Sequence, residues 1–359
     1  MDAGIIKENI LNRTIVKHAR KNSEGIIEGA GPGIDAAVMK NGTVISVGTA
    51  SKEEGIPEIS VSCLAFLHAA NNLYTVCDEV DAVTMSLMVG TGVTEDEIRR
   101  EMISLENELG KTGACLIHGD SRVLGSIDEN EIIVTINAVG HASQIGESVN
   151  NEENIRINVT KIIIGDRIVM AGYPGMFEAV TLAKKNKEEL LDRFPSELLR
   201  RLSNDIVSRD SHIVVKDAGI EETRVAKESD TSARFEIRNI CRLARNNGAK
   251  KLHDISNGGL YRALYNLSQY ARYGVDIIHE NIPVLQEIIE LAEYYSLDPY
   301  AMNGTGGVLI TIASQNEEAL LDELRSMGIP SADIGCFTES NSKVIRSVNM
   351  EMSRNINPA

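Results

Sequence analysis

The chain has 359 residues, a length that fits about two domains. Its formal net charge of −16 offers no basic field for phosphate backbones, so we expect no nucleic-acid partner. No segment reaches the roughly 18 uninterrupted apolar residues of a membrane helix, and the N-terminus lacks the apolar core of a signal peptide. We therefore expect a soluble cytoplasmic protein without a membrane partner.

Helices and strands interleave in the predicted first half. Asn41-Gly42 separates two short apolar runs and is typical of a tight hairpin turn. Thr94 and Glu97 have the spacing of a capping box, which begins a helix that we expect to end near Gly113. The other elements predicted here are helices at 5–20 and 60–76 and strands at 82–90, 114–123 and 131–142.

A polar stretch at 146–158 breaks this pattern, and we place the domain boundary there. The elements predicted beyond it are strands at 161–172, 274–280 and 306–314, helices at 175–186, 187–206, 232–248 and 316–328, and a strand or turn that enters a helix at 250–272. Hairpins rule out a purely parallel sheet, so the fold class is α+β, with layers in each half. Five single cysteines without a C-x-x-C pair predict buried free thiols in a reducing compartment.

The glycine-rich stretch GAGPGID, at 29–35, raises the first question of function. A dinucleotide-binding fingerprint needs a strand, then G-x-G-x-x-G, then a helix, whereas here a helix precedes the glycines and strands follow. A dinucleotide site is therefore not expected. Two interpretations remain open, namely a turn without function and a glycine loop that positions Asp35 for a metal or a phosphate.

The stretch HGDSRV, at 118–123, comes at the end of a predicted strand. Gly119 lets a phosphate approach the backbone, Asp120 can hold Mg²⁺, Ser121 offers a hydroxyl group and Arg122 can neutralise phosphate oxygens. A β-turn with a surface ion pair explains the same residues equally well.

The stretch HDISNGGL, at 253–260, has a similar composition. Asp254 precedes Asn257 and then Gly258-Gly259, which open a helix whose backbone N–H groups can bind an anion. His253 can act as a base beside Asp254. The alternative is that Asn257 or its neighbouring serine only caps the helix.

Four stretches, GPGIDAAV, HGDSRV, GDRIVMAGYPGMFEAVTLA and HDISNGGLYRALYNLSQYA, occur together in the order and spacing of the AIR synthase-related (PurM-like) superfamily. The chain resembles this superfamily over residues 25–345, and most of all its hydrogenase-maturation branch, HypE. The resemblance implies a two-domain PurM-like fold. Residues 1–155 would bind ATP and form a β-barrel across a homodimer, residues 156–345 would form an α/β layered domain, and 346–359 would be a short tail.

The resemblance also implies ATP and Mg²⁺ as cofactors, and phosphate transfer from ATP to an amide or carbonyl oxygen of a small molecule or protein. It implies the metal ligands Asp35, Asp120 and Asp254, and catalytic roles for Asp120, Asp254 and His253. The residues that it implies for cofactor binding are Gly33, Asp35, Thr49, Asn71, Asn72, Gly119, Asp120, Ser121, Arg122, Asn257, Gly258 and Gly259.

Several positions depart from the superfamily pattern. Ile34, Ala50 and Asn72 stand where related chains usually carry acidic residues, and each lost carboxylate weakens a site for a hard cation. No cysteine follows Cys336, so carbamoyl transfer to a C-terminal thiol is not expected. Two functions remain: an ATP-dependent phosphoryl-transfer enzyme, and a catalytically degenerate relative that binds a nucleotide or phosphorylated metabolite or acts as a maturation scaffold.

Overall fold

A computed structural model describes residues 6, 8–19, 24–142, 161–202, 233–348 and 352–356. The predicted domain boundary at 146–158 lies outside these residues. The strands are β1 (Ile26–Glu28), β2 (Ala37–Met39), β3 (Thr43–Ser51), β4 (Ala82–Val89), β5 (Cys115–Val123), β6 (Ile132–His141), β7 (Arg167–Ala171), β8 (Lys251–Ile255), β9 (Gly274–Ile278), β10 (Gly307–Ile312), β11 (Ser331–Thr338), β12 (Lys343–Ser347) and β13 (Met352–Asn355).

Helices lie between these strands in both halves of the chain. They are α1 (Glu8–Leu11), α2 (Val61–Tyr74), α3 (Glu95–Thr112), α4 (Met176–Lys185), α5 (Lys187–Leu191), α6 (Ser196–Arg200), α7 (Arg238–Asn246), α8 (Gly259–Ala271), α9 (Gln286–Tyr294) and α10 (Glu317–Ser326). A π-helical turn, Asn12–Val16, continues α1. None of the helices in the described part of the chain is long and apolar enough to cross a membrane.

The first sheet has the strand order β1-β2-β3-β6-β4-β5. All its neighbours are antiparallel except β4 and β5, which run parallel and are joined through α3. Side chains alternate along β3, β4 and β6, and one face is buried under α2. The described strands form an open sheet, so a single chain does not make the closed barrel that was expected across a homodimer.

The second sheet has the order β13-β12-β9-β11-β7-β10-β8 and is antiparallel apart from the β9–β12 pair. Its central strands are buried on both faces, which explains their nearly continuous apolar sequence. Helix α8 packs on one face, and α7 and α10 pack on the other. The segment expected to be a short tail, 346–359, contributes β13 to the edge of this sheet.

Helix α2 lies between the two halves, and a single hydrophobic core continues from the first sheet through α2 to residues of the second sheet. Asn71 of α2 joins the halves directly. Its amide group donates to the carbonyl oxygen of Phe235 at 2.8 Å and accepts from the backbone N–H of Ile237 at 3.1 Å. Because Asn71 is only 1% exposed, these two hydrogen bonds satisfy buried backbone groups.

Strand β5 has a different environment from the other strands of its sheet. Among the described strands it pairs with β4 alone, and each of its nine residues is exposed. HGDSRV was expected at the end of a strand over 114–123, and β5 does run through these residues to Val123. An exposed edge strand tolerates polar side chains on both faces, so they do not end it. All five cysteines are free as predicted, but Cys115 of β5 is exposed and Cys336 is half-buried.

Candidate functional site

Three side chains from both halves of the chain meet in a buried cluster: Asp35, His253 and Asp254. One potential metal-ligand atom from each lies within 4.8 Å of the others. Nδ1 of His253 is 2.6 Å from Oδ1 of Asp35, and the backbone N–H of Asp254 donates to Oδ2 of Asp35 at 3.2 Å. The Asp35 side chain is 5% exposed and that of His253 is 7% exposed, so bulk water scarcely screens this cluster.

His253 and Asp254 are positioned by strand β8 and by the turn from β8 into α8. His253 and Asp254 lie in β8 opposite Leu309 and Val308 of β10, which fixes their register. Gly259 then begins α8 with a φ of +63°, and an added Cβ atom would lie 2.4 Å from a backbone oxygen. A side chain is therefore excluded where the chain turns sharply from the strand into the helix.

Asp35 is positioned by the glycine-rich segment before β2. Gly33 has a φ of +70° and packs against α8, where an added Cβ would lie 2.8 Å from the carbonyl oxygen of Asn266 and 2.9 Å from Cβ of Tyr270. This close backbone approach brings Asp35 against β8. The glycines thus dock one half of the chain onto the other, and they precede strands rather than the helix of a dinucleotide-binding loop.

The proximity of these groups changes their proton affinities. Burial and the negative charge of Asp35 raise the pKa of Asp254 to about 7. Burial acts to lower the pKa of His253, but the charge and close contact of Asp35, together with the charge of Asp254, outweigh it and raise that pKa above its ordinary value. His253 and Asp254 therefore hold their protons more tightly than the isolated side chains would.

A cavity of about 390 Å³ lies beside the cluster, and all three cluster residues line it. This volume is in the range of small-molecule sites. The glycine-rich segment and the beginning of α8 form two of its walls. Leu11, Ile15 and Val16, from the helical segment near the N-terminus, add an apolar wall. The cavity therefore combines charged, backbone and apolar surfaces.

Several of the predicted site residues share this cavity. Those that line it are Gly33, Asp35, Asn72, His253, Asp254, Asn257 and Gly259. Gly258 is the N-cap residue of α8, with a φ of +86°, directly before Gly259. The amide of Asn72 donates to the carbonyl oxygen of Val47 at 3.0 Å, which holds this side chain at the cavity wall.

The remaining predicted residues lie elsewhere. The side chain of Asn71 is hydrogen-bonded to the backbone of Phe235 and Ile237. The hydroxyl group of Thr49 is 3.0 Å from that of Thr135, on the exposed face of the first sheet. Gly119, Asp120, Ser121 and Arg122 are all on β5. Strands β3, β6 and β4 separate β5 from β2, which directly follows Asp35, so these four residues do not join the cluster within one chain.

Sequence reasoning missed the cavity residues contributed by α8 and the N-terminal helical segment. Arg262, Ala263 and Asn266 follow Gly259 at helical spacings and line the cavity with it. That spacing was a signal present in the sequence directly after the predicted motif. The contribution of Leu11, Ile15 and Val16 had no comparable local signal, because their apolar pattern is typical of any amphipathic helix.

Only part of the cluster suits Mg²⁺, the cation implied by the superfamily resemblance. The carboxylates of Asp35 and Asp254 are oxygen ligands of the kind that Mg²⁺ prefers. His253 instead brings a ring nitrogen, which is a ligand typical of transition metals. In addition, Asp120 is absent from the cluster within one chain. The donor set therefore does not match an all-oxygen magnesium site.

Comparisons with known proteins agree with this architecture. Residues 212–347 match the AIR synthase related protein family, C-terminal domain. A Methanocaldococcus jannaschii protein named for hydrogenase expression/formation is 20% identical over 291 residues, which cover 80% of this chain and 73% of that protein. The structure of a HypE–HypF complex is similar with a TM-score of 0.70 and 18% identity, and covers 97% of this chain and 99% of the matched one. The chain therefore has a PurM-like fold, which it shares with HypE structures.

Two further structures similar to this chain contain nucleotides. HypE in complex with ATP has a TM-score of 0.58 and 13% identity, over 98% of this chain and 94% of that one. AaThiL complexed with AMPPCP and TMP has a TM-score of 0.54 and 13% identity, over 96% and 93% of the two chains. At these identities the likeness concerns the fold.

Proposed function

We propose that the protein is a cytoplasmic enzyme that binds ATP in the 390 Å³ cavity and transfers its terminal phosphoryl group to an amide or carbonyl oxygen. The acceptor would be a small molecule or a group on a partner protein. The observation that carries this proposal is the convergence of Asp35, His253 and Asp254 at a cavity walled by two glycine-containing turns. Further support comes from the relatives, since a HypE of the same fold is known with ATP and AaThiL with AMPPCP and TMP.

The beginning of α8 supplies the first favourable interaction for a phosphate chain. Helix α8 has 13 residues, and its N-terminal residues Gly258 and Gly259 adjoin the cavity without side chains that block the backbone. The positive end of the helix dipole stabilises an anion there. Asn257 lines the same wall, and its Oδ1 accepts a hydrogen bond from Asn303 at 2.7 Å, which orients it.

The cluster supplies the reactive groups. In the transfer, the bond between the terminal phosphorus and its bridging oxygen breaks, and a bond from that phosphorus to the acceptor oxygen forms. His253, held against Asp35, can take the proton that an amide acceptor loses. Asp254 is partly protonated near neutral pH because burial and Asp35 raise its pKa to about 7, which reduces its repulsion of the phosphate.

The proposed assembly is a homodimer that pairs through β5. Support comes from the exposure of this strand on both faces and from its apolar side chains, with Ile117 61% exposed and Val123 68% exposed. A long, exposed edge strand that carries apolar side chains readily pairs with another chain. In such a dimer the sheets of two subunits would form the expected interfacial barrel, and Gly119, Asp120, Ser121 and Arg122 would face a neighbouring subunit.

Calorimetric titration with a non-hydrolysable ATP analogue tests the proposal. We expect one analogue per chain, with an affinity at least tenfold lower in the Gly33→Val variant, because a valine side chain would collide with α8 and displace the cavity wall. Asp322→Asn is the control, because Asp322 lies on the exposed face of α10, where it pairs with Arg325 at 3.0 Å. Absence of analogue binding by the parent chain would contradict the proposal.

A binding module without catalysis is the second candidate, and a specific observation favours it. Asp120 lies on β5 away from the cluster, and Asn71 is hydrogen-bonded to backbone groups, so fewer of the ligand groups implied by the superfamily resemblance surround the cavity. The known HypE–HypF complex makes a scaffold for a maturation partner a natural form of this alternative. Single-turnover measurement of phosphate release distinguishes the two, because a module would bind the nucleotide without cleaving it.

A further inference from the structure

We propose that Asp35, His253 and Asp254 form a binding site for a first-row transition-metal dication, in preference to Mg²⁺, with Nδ1 of His253 as one of the ligands. This assignment concerns the metal of the site proposed for phosphoryl transfer. It does not need a nucleotide, because all three ligands belong to one chain and already lie together.

The spacing of the donor atoms suits a single ion. Metal–nitrogen and metal–oxygen bonds of about 2.0–2.2 Å place neighbouring ligand atoms roughly 3 Å apart. In the cluster, Nδ1 of His253 and Oδ1 of Asp35 are 2.6 Å apart, and every pair among the three ligand atoms is within 4.8 Å. Small rotations of two carboxylates would therefore bring all three ligands onto one cation.

The unsatisfied nitrogen is an independent observation. His253 is 6% exposed, and its Nδ1 has no hydrogen-bond partner among the described residues, although Oδ1 of Asp35 is only 2.6 Å away. The two atoms form a close ion-pair contact, but without the alignment that a hydrogen bond requires. Buried polar atoms are rarely left with so imperfect a contact. A cation bound by both the nitrogen and the carboxylate would satisfy the nitrogen better than this contact does.

The charge of the cluster also favours a dication. Asp35 and Asp254 are buried carboxylates within one ligand shell, and burial makes unpaired charge costly. The opposing imidazole can contribute at most one positive charge, whereas a dication neutralises both carboxylates and leaves His253 neutral. A ligand set of one nitrogen and two carboxylate oxygens is suited to ions such as Mn²⁺, Fe²⁺ or Zn²⁺ more than to Mg²⁺.

Mn²⁺ is the probe for the test, since its electron paramagnetic resonance distinguishes free from bound ion. The full chain is stripped with a chelator and titrated with Mn²⁺ in the absence of nucleotide. We expect one bound Mn²⁺ per chain that an approximately tenfold excess of Mg²⁺ does not displace. Electron spin echo modulation of the bound ion should show coupling to ¹⁴N of a histidine.

Substitution of the nitrogen ligand sharpens the test. His253→Asn keeps a polar atom near the position of Nδ1 but presents oxygen, so we expect Mn²⁺ affinity to fall at least tenfold and the ¹⁴N coupling to vanish, with little change in Mg²⁺ affinity. His141→Asn is the control, because His141 is an exposed residue that pairs with Asp81 at 2.8 Å on the first sheet.

Two results would overturn the assignment. One is bound Mn²⁺ without ¹⁴N coupling in the parent chain, and the other is displacement of Mn²⁺ by an equal concentration of Mg²⁺. The spectroscopic result does not depend on any variant, so it decides the question even if His253→Asn fails to fold. Binding of Mn²⁺ without binding of an ATP analogue would support this site while contradicting the proposed phosphoryl transfer.

Discussion

The buried cluster and the exposed strand β5 contain similar chemical groups in opposite environments. Asp35 has a 5% exposed side chain, whereas those of Asp120 and Arg122 are 58% and 69% exposed. The cluster gathers ligands from both halves of one chain, while β5 directs its polar groups outward at a free sheet edge. The difference teaches that similar aspartate-containing motifs can belong either to a buried site that two parts of one chain build together or to an exposed sheet edge.

The largest expected difference between the two regions is in the cost of replacing a glycine by alanine, measured as the free energy of unfolding of Gly33→Ala and Gly119→Ala. In Gly33→Ala, the positive φ and a Cβ atom 2.8 Å from a backbone oxygen of α8 should lower the free energy of unfolding by about 3 kcal/mol. Urea denaturation followed by circular dichroism measures this loss. In Gly119→Ala, the new Cβ would lie 3.1 Å from the Met85 carbonyl oxygen on an edge strand that can adjust, so we expect less than about 1 kcal/mol. Equal losses would contradict the contrast.

Ile117→Lys should have the next largest effect, on assembly rather than folding. Ile117 is 61% exposed on β5, so a lysine there is tolerated by the single chain but places two like charges in the proposed strand-to-strand interface. We expect the dimer dissociation constant to rise about a hundredfold, close to 2.7 kcal/mol. Sedimentation velocity over a concentration series measures this change. A parent chain that is monomeric at all concentrations would remove β5 as a dimer interface.

In the absence of metal, the Asp254→Asn variant should be more stable than the parent chain, by a margin that grows as the pH rises. Asp254 has an ordinary pKa of 3.8, but burial and Asp35 raise it to about 7 in the folded state. Between these values the unfolded chain has released a proton that the folded chain retains, so this group lowers stability progressively as pH rises from about 4 to about 7. Asparagine does not ionise and escapes this loss.

The advantage of Asp254→Asn should therefore be small near pH 4 and on the order of a few kcal/mol above pH 7, because each unit of pKa shift corresponds to about 1.4 kcal/mol. Thermal unfolding in the presence of a chelator measures it, as the difference in Tm between variant and parent at each pH. An advantage that is the same at both ends of this range would show that the carboxylates are not coupled in the folded state.

Asp120→Asn should have the smallest effect. Asp120 pairs with Arg122 at 2.9 Å, but both side chains are largely exposed, so the pair should contribute less than about 0.5 kcal/mol to folding. Its Tm should differ little from that of the parent at any pH, in contrast with Asp254→Asn. Loss of analogue binding in Asp120→Asn, without loss of stability, would indicate that β5 of a neighbouring subunit reaches the cavity.

Local interactions made much of the fold predictable. The hairpin at Asn41-Gly42 is confirmed, with the Asn41 side chain accepting from the backbone N–H of Thr43 at 3.1 Å. The capping box of Thr94 and Glu97 is also confirmed at the start of α3. Both signals act within a few residues, so tertiary context could not override them.

Several elements of the second half were predicted incorrectly or were missed. The single helix expected at 187–206 is divided into α5 and α6, because Pro195 cannot continue a helix. Helix α9 and the strands β11, β12 and β13 were missed. Strand β13 is short and polar, and its extended form depends on pairing with β12, which no pattern within its own residues reveals.

The candidate site was predictable to the extent that it lies in consecutive residues. The turn after His253 and Asp254 was expected from its glycines, but their approach to Asp35 was implied only by the superfamily resemblance. Asn71 illustrates the limit. The sequence shows an amide in a helix, but only the fold shows that Phe235 and Ile237 need it to satisfy their backbone groups.

The continuous core beneath α2 has a consequence for finding the natural ligand. Because this core and Asn71 tie the halves together, we expect one calorimetric transition for the whole chain rather than separate melting of two domains. A compound that bridges Asp35 and Asp254 would have to be released before this transition, so it would raise the melting temperature by an amount that grows with the logarithm of its affinity. A library of metabolites and metal ions can therefore be ranked on the intact protein without knowledge of the reaction.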